Sequence, residues 1–315
     1  MTPIRSKKHI FKFYFFIIFG SLFFLGMGIG SLWQFYEKIN NSFIKPKEYL
    51  LLLVGVFVSF FAFYTVYRYL KNAPPIKLDE QNIWIGEEKF SWENLKNVEL
   101  TGKRNFPYLI SMPMEAFLIE FNDGTTKIIF DDMYSNSWEI KSFIENVIVE
   151  KNTFHWHNVT PATKTEIQFE NFEVYKGNQF ASLRGISLWG LIGFFLYLMV
   201  FGKKPASIGF FIFFMVFSTF WFSFNSYLMH YFQCSNQFFV VKNHNFLWKV
   251  KIFKLVDIKE IVFETQSKQP NILRVITKDF KNKIYPAGTL SDKTWLKLKS
   301  KLEKNNIEVR NECIF

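Results

Sequence analysis

Four stretches of the chain carry no Asp, Glu, Lys or Arg and are dense in Phe, Leu, Ile and Val. They are Phe13–Tyr36, Tyr49–Tyr67, Gly185–Gly202 and Pro205–Tyr231, about 24, 19, 18 and 27 residues long. A helix needs about 20 apolar residues to cross the hydrocarbon core. The pattern therefore predicts four transmembrane helices, with spans over about 13–36, 49–67, 185–202 and 206–229. The first run is longer than the apolar core of a secretory signal, and no small-x-small site closes it, so it reads as a retained span. Trp33, Tyr36, Tyr49, Tyr64, Tyr67, Trp189 and Tyr231 lie toward the run ends, where amphipathic rings favour the bilayer interface. Short connections at 37–48 and at "GKKP" (202–205) pair the runs into two helical hairpins. An even number of spans places the N-terminus and both large polar segments on one side. Gly26 and Gly30, with Gly28 between them, make a small-xxx-small pair expected to pack against a helix of the same chain.

The polar segments follow other periods. From residue 72 to 150, "IWIGEEKFSW" alternates apolar and polar positions as a strand does. "AFLIEFNDGTTKIIFDD" sets two β-prone runs around Asn122-Asp123-Gly124, a tight-hairpin signal. Ile140, Phe143, Ile144, Val147 and Ile148 then share one helical face, and Asn136 with Glu139 has the spacing of a capping box. From 236 to 315 the same order returns. "FFVVKNHNFLWKVKIF" reads as a hairpin turning at Asn243-His244-Asn245, "NILRVITKDFKNKIYP" as a second hairpin, and "SDKTWLKLKSKLEK" as a closing helix. "FSWENLKNVEL" and "FKLVDIKEIVFE" align Leu95 with Ile258, Lys96 with Lys259, Val98 with Ile261 and Leu100 with Phe263. Asp123 falls opposite Asp279, and Trp295 takes the place of Trp138. The expected fold is thus four transmembrane helices plus an α+β module used twice, an internal repeat. Residues 151–183, with "EIQFENFEVYKG", have no counterpart before the first hairpin and read as an extra strand or a membrane-surface linker.

This order of elements resembles the pleckstrin-homology-like (PH-like) domains of bacterial membrane proteins, which are curled antiparallel sheets closed by a C-terminal helix. "KFSWENLKNVEL" and "LRVITKDFKNKIYPAGTLSDKTW" are similar to bacterial proteins that join such domains to transmembrane hairpins. The likeness covers the two modules, about half of the chain. It implies a binding or scaffolding role toward lipid headgroups, peptides or other domains, in a bacterial inner membrane. Arg5, Lys7, Lys8, Lys12, Arg68, Lys71 and Arg184 flank the spans on the side of the N-terminus. Lys38, Lys45, Lys47, Lys203 and Lys204 lie on the other side. The balance predicts a cytoplasmic N-terminus and cytoplasmic modules.

Composition changes little in this picture. The chain is 49% hydrophobic and 20% aromatic, with 42 Phe, which suits membrane helices better than a soluble surface. Cys234 and Cys313 are the only cysteines, so no disulfide framework is indicated. Charge does change it. Residues 71–151 carry about 9 Lys+Arg against about 14 Asp+Glu, whereas 242–315 carry about 16 against about 8. Opposite fields favour docking between the modules, or an acidic protein surface or anionic lipid headgroups as partners of the basic one. Lys249, Lys251, Lys254, Lys281 and Lys283 are the candidate contacts, lying in or beside predicted hairpins, and the competing reading is that they simply sit on solvated strand faces.

Other chemistry is thin. His155 and His157 share a strand face without a Cys or carboxylate beside them. Asp131-Asp132 precede a helix, where capping and dipole contacts account for them. Asn225 and His230 sit in or near the last span, where hydrogen bonding to a neighbouring helix is expected of the Asn. The Asn-x-Ser/Thr triplets at Asn40 and Asn158 carry meaning only if the chain meets a glycosylation machinery. No phosphate loop, dinucleotide-binding turn, nucleophile elbow, zinc quartet or nucleic-acid recognition motif occurs, so no cofactor, nucleic-acid partner or enzymatic reaction is implied. A small transporter or channel is the alternative, resting on two similar hairpins. Against it, the runs contain no acidic or basic residue and no interior Pro break.

Overall fold

The first soluble unit begins before the first span. In the computed structural model, which describes residues 3–41, 45–108, 112–152, 159–160, 162–202, 207–265 and 270–314, the chain divides into two units, residues 1–156 and 157–315. Each has its own core.

Unit 1 opens with a two-residue strand, β1 (Ile4–Arg5), and a π-helical turn at Ile10–Phe15 that leads into α1 (Phe16–Asn41). Helix α2 (Tyr49–Asn72) returns beside it. Ile10–Asn40 and Pro46–Asn72 are both long and apolar enough to cross a membrane. The helices meet at Gly28 and Gly55: a Cβ on Gly28 would overlap Ser59 Oγ, and one on Gly55 would lie 2.7 Å from Leu32 Cγ. Gly26 and Gly30 have nothing within 4 Å, so the expected pair does not make the contact and the glycine between them does.

The chain then builds β2 (Ile76–Leu78), β3 (Asn82–Ile85) and β4 (Glu88–Ser91), in the order β1-β2-β3-β4. The alternating "IWIGEEKFSW" is therefore a hairpin and not one strand. Its two-residue turn at Gly86 (φ +67°) and Glu87 preserves the period of two. A 3-10 turn at Trp92–Asn94 carries the chain to a second sheet of β5 (Leu95–Glu99), β6 (Lys103–Phe106), β7 (Met112–Phe121) and β8 (Thr126–Phe130), with β7 central. The Asn122–Thr125 turn closes as expected, with Gly124 at φ +84° and the Asp123 carboxylate accepting from Thr125 N–H at 2.8 Å.

Helix α3 (Ser137–Phe143), continued by a π-helical segment (Ile144–Val149), buries Ile140, Phe143 and Ile144 in the core. Asn136 does not cap it with its side chain. Its Oδ1 accepts from Lys7 N–H at 2.7 Å and its Nδ2 donates to Arg5 O at 3.0 Å, so this buried amide clamps the N-terminal strand. Lys8 adds a hydrogen bond to Ala73 O and lies 4.4 Å from the Tyr134 ring centroid.

Unit 2 likewise opens with a short strand, two apolar helices and a run of strands. Strand β9 (Glu173–Tyr175) precedes α4 (Leu183–Phe201) and α5 (Ile208–Tyr227), both long and apolar enough to span. Together with the first pair, they make this a multi-pass membrane protein. Strands β10 (His230–Cys234), β11 (Phe238–Asn243) and β12 (Val250–Lys254) form a sheet ordered β12-β11-β10-β9. Residues 151–183 hold an extra strand, one of the two readings expected from sequence, with β9 paired antiparallel to β10 as β1 is to β2. The β11–β12 loop is longer than the Asn-His-Asn turn read from sequence, running from 244 to 249.

After a 3-10 turn at Leu255–Asp257 come β13 (Ile258–Glu264), β14 (Ile272–Thr277), β15 (Asn282–Pro286), α6 (Asp292–Lys304) and β16 (Glu308–Asn311). The sheet is ordered β15-β14-β13-β16, with β16 parallel to β13. Register shifts fall at Leu95/Asn97 and at Ile258/Glu260, with Lys96 and Lys259 as the bulged residues. Counted from the N-caps Asn136 and Ser291, Trp295 stands with Ile140 and not with Trp138. Trp295 is fully buried against Phe232 and Phe263.

Candidate functional site

Strands β12 and β15 are the outer strands of their two sheets. Each pairs on one side only among the described residues, β12 with β11 and β15 with β14. Where the two edges face each other the sheets do not close, and a groove of about 420 Å³ remains. Val159, Thr160, Ala162 and Lys164, from the segment before β9, line it as well.

Four of the five lysines expected as contacts converge here. Lys251 and Lys254 come from β12, Lys283 from β15 and Lys281 from the β14–β15 turn. Sequence reasoning missed Lys164, which lies in a segment with no strand or helix period and so carries no signal of direction. Thr160, Thr277 and the Asp279 carboxylate also line it, beside apolar surface from Val250, Ile252, Phe253 and Val275.

The groove is under-neutralised. Lys254 pairs with Glu166 at 2.9 Å, and Lys281 with Asp279 at 2.8 Å. Hydrogen bonds from Thr163 and Lys254 hold the Glu166 carboxyl down at about 2. Among the described residues, Lys164, Lys251 and Lys283 pair with no carboxylate. Partial burial first, and then the ammonium groups of Lys251 and Lys281, hold Lys283 below the ordinary lysine range, while Asp279 pulls the other way. A group in that position gains from any anion that enters.

The groove leads away from the membrane. Asn243 Nδ2 donates to Ser226 O at 2.7 Å, which fixes the membrane end of β11. Lys254 is opposite Phe238, five residues further along, or roughly 16 Å at the strand rise. Lys281 lies six residues from the Met229–Ala287 bridge, roughly 20 Å. Lys249 is not in the groove: it sits in the β11–β12 loop, its Nζ 4.5 Å from the Phe246 ring centroid.

The remaining candidates resolve separately. Asp131 and Asp132 do not cap α3. Asp131 is buried against Lys141, 2.6 Å from Oδ2 to Nζ, and Asp132 pairs with Lys12 at 2.6 Å. Asn225 donates to Trp221 O of its own helix at 3.0 Å, and among the described residues its buried Oδ1 has no hydrogen-bond partner and no bond from its side chain reaches a neighbouring helix. His230 Nδ1 lies 3.0 Å from Pro286 O, in the sheet beyond the span. His155, His157 and Asn158 lie outside the described residues, as does Ser42 of the Asn40 triplet. Among the described residues, no three His, Cys, Asp or Glu side chains converge as a metal site.

No protein-family model matches the chain, and no curated protein matches it.

Proposed function

We propose that this is a non-enzymatic, membrane-tethered binding protein whose second soluble unit takes an acidic, extended partner segment in the groove between β12 and β15. The observation that carries the reading is the convergence of five lysines on that groove, three of them without a carboxylate. Two unpaired strand edges supply backbone donors and acceptors for a segment laid between them, and the ammonium groups select its charge. The distance of Lys254 and Lys281 from the membrane end favours a partner in the aqueous phase over a lipid headgroup.

The chain is further read as one unit used twice, each PH-like, with the N-terminus and both soluble units in the cytoplasm of a bacterial cell. A strand–hairpin–meander–bulge order common to both units, with the bulge at aligned lysines, supports the repeat. The excess of basic residues beside the unit-side span ends supports the orientation.

The test uses the full chain in neutral phosphatidylcholine nanodiscs and a fluorescein-labelled peptide of alternating Glu and Asp, read by anisotropy at low and high salt. The native protein is expected to bind the peptide, more weakly at high salt. Replacing Lys251, Lys254, Lys281 and Lys283 together by Gln is expected to weaken binding at least about tenfold, the equivalent of ~1.4 kcal/mol. Equal binding by the variant, or binding only when the disc itself is made anionic, would overturn the proposal. The lysines would then serve only to keep two strand edges from pairing with other chains.

A further inference from the structure

The β11–β12 loop, His244–Lys249, is not used by the groove, and it is built in an unusual place. Asn243 Oδ1 accepts from Asn245 N–H at 3.0 Å and Phe246 N–H at 2.9 Å, which turns the chain sharply at the end of β11. Asn245 Nδ2 then donates to Ser226 Oγ at 2.8 Å, and Gln179 Nε2 donates to Asn245 Oδ1 at 2.6 Å. The loop is thus bonded to the last turn of α5.

It then runs back along that helix. The Phe246 ring packs edge-on against Phe222, 6.2 Å between centroids. Phe222 lies five residues before the end of α5 at Tyr227, or about 7–8 Å along the axis at the helical rise. Phe222 contacts Trp189 of α4 at 6.0 Å, and Trp189 contacts Phe180 at 5.9 Å. A row of aromatic rings therefore crosses both spans at one level, as at a bilayer interface. At that level the loop presents Leu247 and Trp248, 75% and 72% exposed. Trp248 meets the Phe246 ring, 5.4 Å between centroids, and among the described residues both side chains stay largely uncovered, although the loop around them is tied by side-chain hydrogen bonds. Lys249 closes the turn, its N–H donating to Phe246 O at 2.8 Å.

We infer that the loop is a membrane anchor: Leu247 and Trp248 dip into the interfacial layer of the bilayer beside α5, while Lys249 stays among the headgroups. The occupant is lipid because the loop is bonded and stacked to a spanning helix inside its terminal turns, where only lipid or another span can reach. A long side chain with a charged tip at that depth extends toward the aqueous boundary. The anchor fixes the tilt of the β9–β12 sheet to the membrane plane at a point separate from the two spans.

The test places a nitroxide label at Leu247→Cys in a full-length background with Cys234→Ala and Cys313→Ser, reconstituted in phosphatidylcholine nanodiscs. Lys278→Cys, in the β14–β15 turn far from the spans, is the comparison site. Power-saturation spectroscopy is expected to find the Leu247→Cys label relaxed by lipid-dissolved oxygen and shielded from a water-soluble nickel chelate, with the reverse at Lys278→Cys. A Leu247→Cys label as open to the chelate as that at Lys278→Cys would overturn the inference. Should the cysteine-free background fail to fold, Trp248→Phe in the native chain is read by quenching with brominated lipid. Loss of part of the quenchable tryptophan emission supports insertion, and an unchanged quenchable fraction contradicts it.

Discussion

Lys141 is a fully buried lysine whose ammonium meets the equally buried carboxylate of Asp131, at 2.6 Å. Burial pushes the Asp131 carboxyl up from its ordinary value, Glu115 and Asp132 push the same way, and Lys141 is the group that opposes them. Replacing Lys141 by Met preserves most of the volume and removes the opposition. Asp131 is then left without a cation, one of its oxygens already lacking a hydrogen-bond partner. Breaking one side of a buried pair costs about 3–5 kcal/mol. The loss should depend on pH in a known direction. A carboxyl whose folded-state pKa lies above its unfolded value favours the folded state most at low pH, and that contribution is lost as pH rises through the folded pKa. The slope is about 1.4 kcal/mol per pH unit between the two values. Lys141→Met should therefore be most damaging at neutral to alkaline pH and should recover as the pH is lowered toward the acid range. Hydrogen exchange of β7 and β8 in the detergent-solubilised full chain, corrected for intrinsic rates, reads the opening free energy of this unit alone. Asp131→Asn combined with Lys141→Met should restore most of the loss. A deficit that is constant with pH, or a double variant as unstable as the single one, would contradict this picture of the pair.

Gly28→Val should separate α1 from α2, because its side chain would overlap Ser59 Oγ and approach Gly55 O at 3.0 Å, at a cost of about 1–3 kcal/mol. Gly30→Val, with nothing within 4 Å, should leave the thermal midpoint of the solubilised protein unchanged. Asn136→Ala should release the N-terminal strand, seen as loss of exchange protection at residues 4–8 while β7 keeps its own. His244 is held at about 4, against an ordinary 6.5, mainly by burial and then by Lys176. Unit 2 should therefore lose stability as pH falls from about 6.5 toward about 4, and His244→Gln should remove that part of the acid sensitivity in a thermal titration.

The spans and the main strand hairpins were legible because burial imposes a period on them. Uncharged runs gave four helices, and the Asn122–Gly124 turn gave β7 and β8. The hairpin at Gly86-Glu87 was hidden because a two-residue turn leaves the alternation unbroken. Strands β1 and β9, of two and three residues, are too short to carry a period, and they exist through pairing with strands on the far side of a membrane hairpin. The Asn136–Glu139 spacing suggested a cap, and the two side chains do meet, Asn136 Nδ2 donating to Glu139 Oε2 at 2.9 Å. The Asn136 amide oxygen, however, accepts from Lys7 N–H and not from the helix, and its Nδ2 also donates to Arg5 O, both more than a hundred residues away in sequence. In the candidate site, strand placement was enough to group Lys251, Lys254, Lys281 and Lys283. It could not separate Lys249, because sequence does not say which end of a hairpin faces the bilayer.

The central claim is that the β12–β15 groove holds positive charge in want of an anion, and Lys283 reports on it directly. Reductive ¹³C-methylation of the full chain in neutral nanodiscs, with the Lys283 signal assigned by its absence in Lys283→Arg, allows its pKa to be followed by NMR. The predicted result is a pKa below the ordinary lysine value in the free protein, rising when the Glu-Asp peptide is added. An ordinary lysine value that the peptide does not move would contradict the claim.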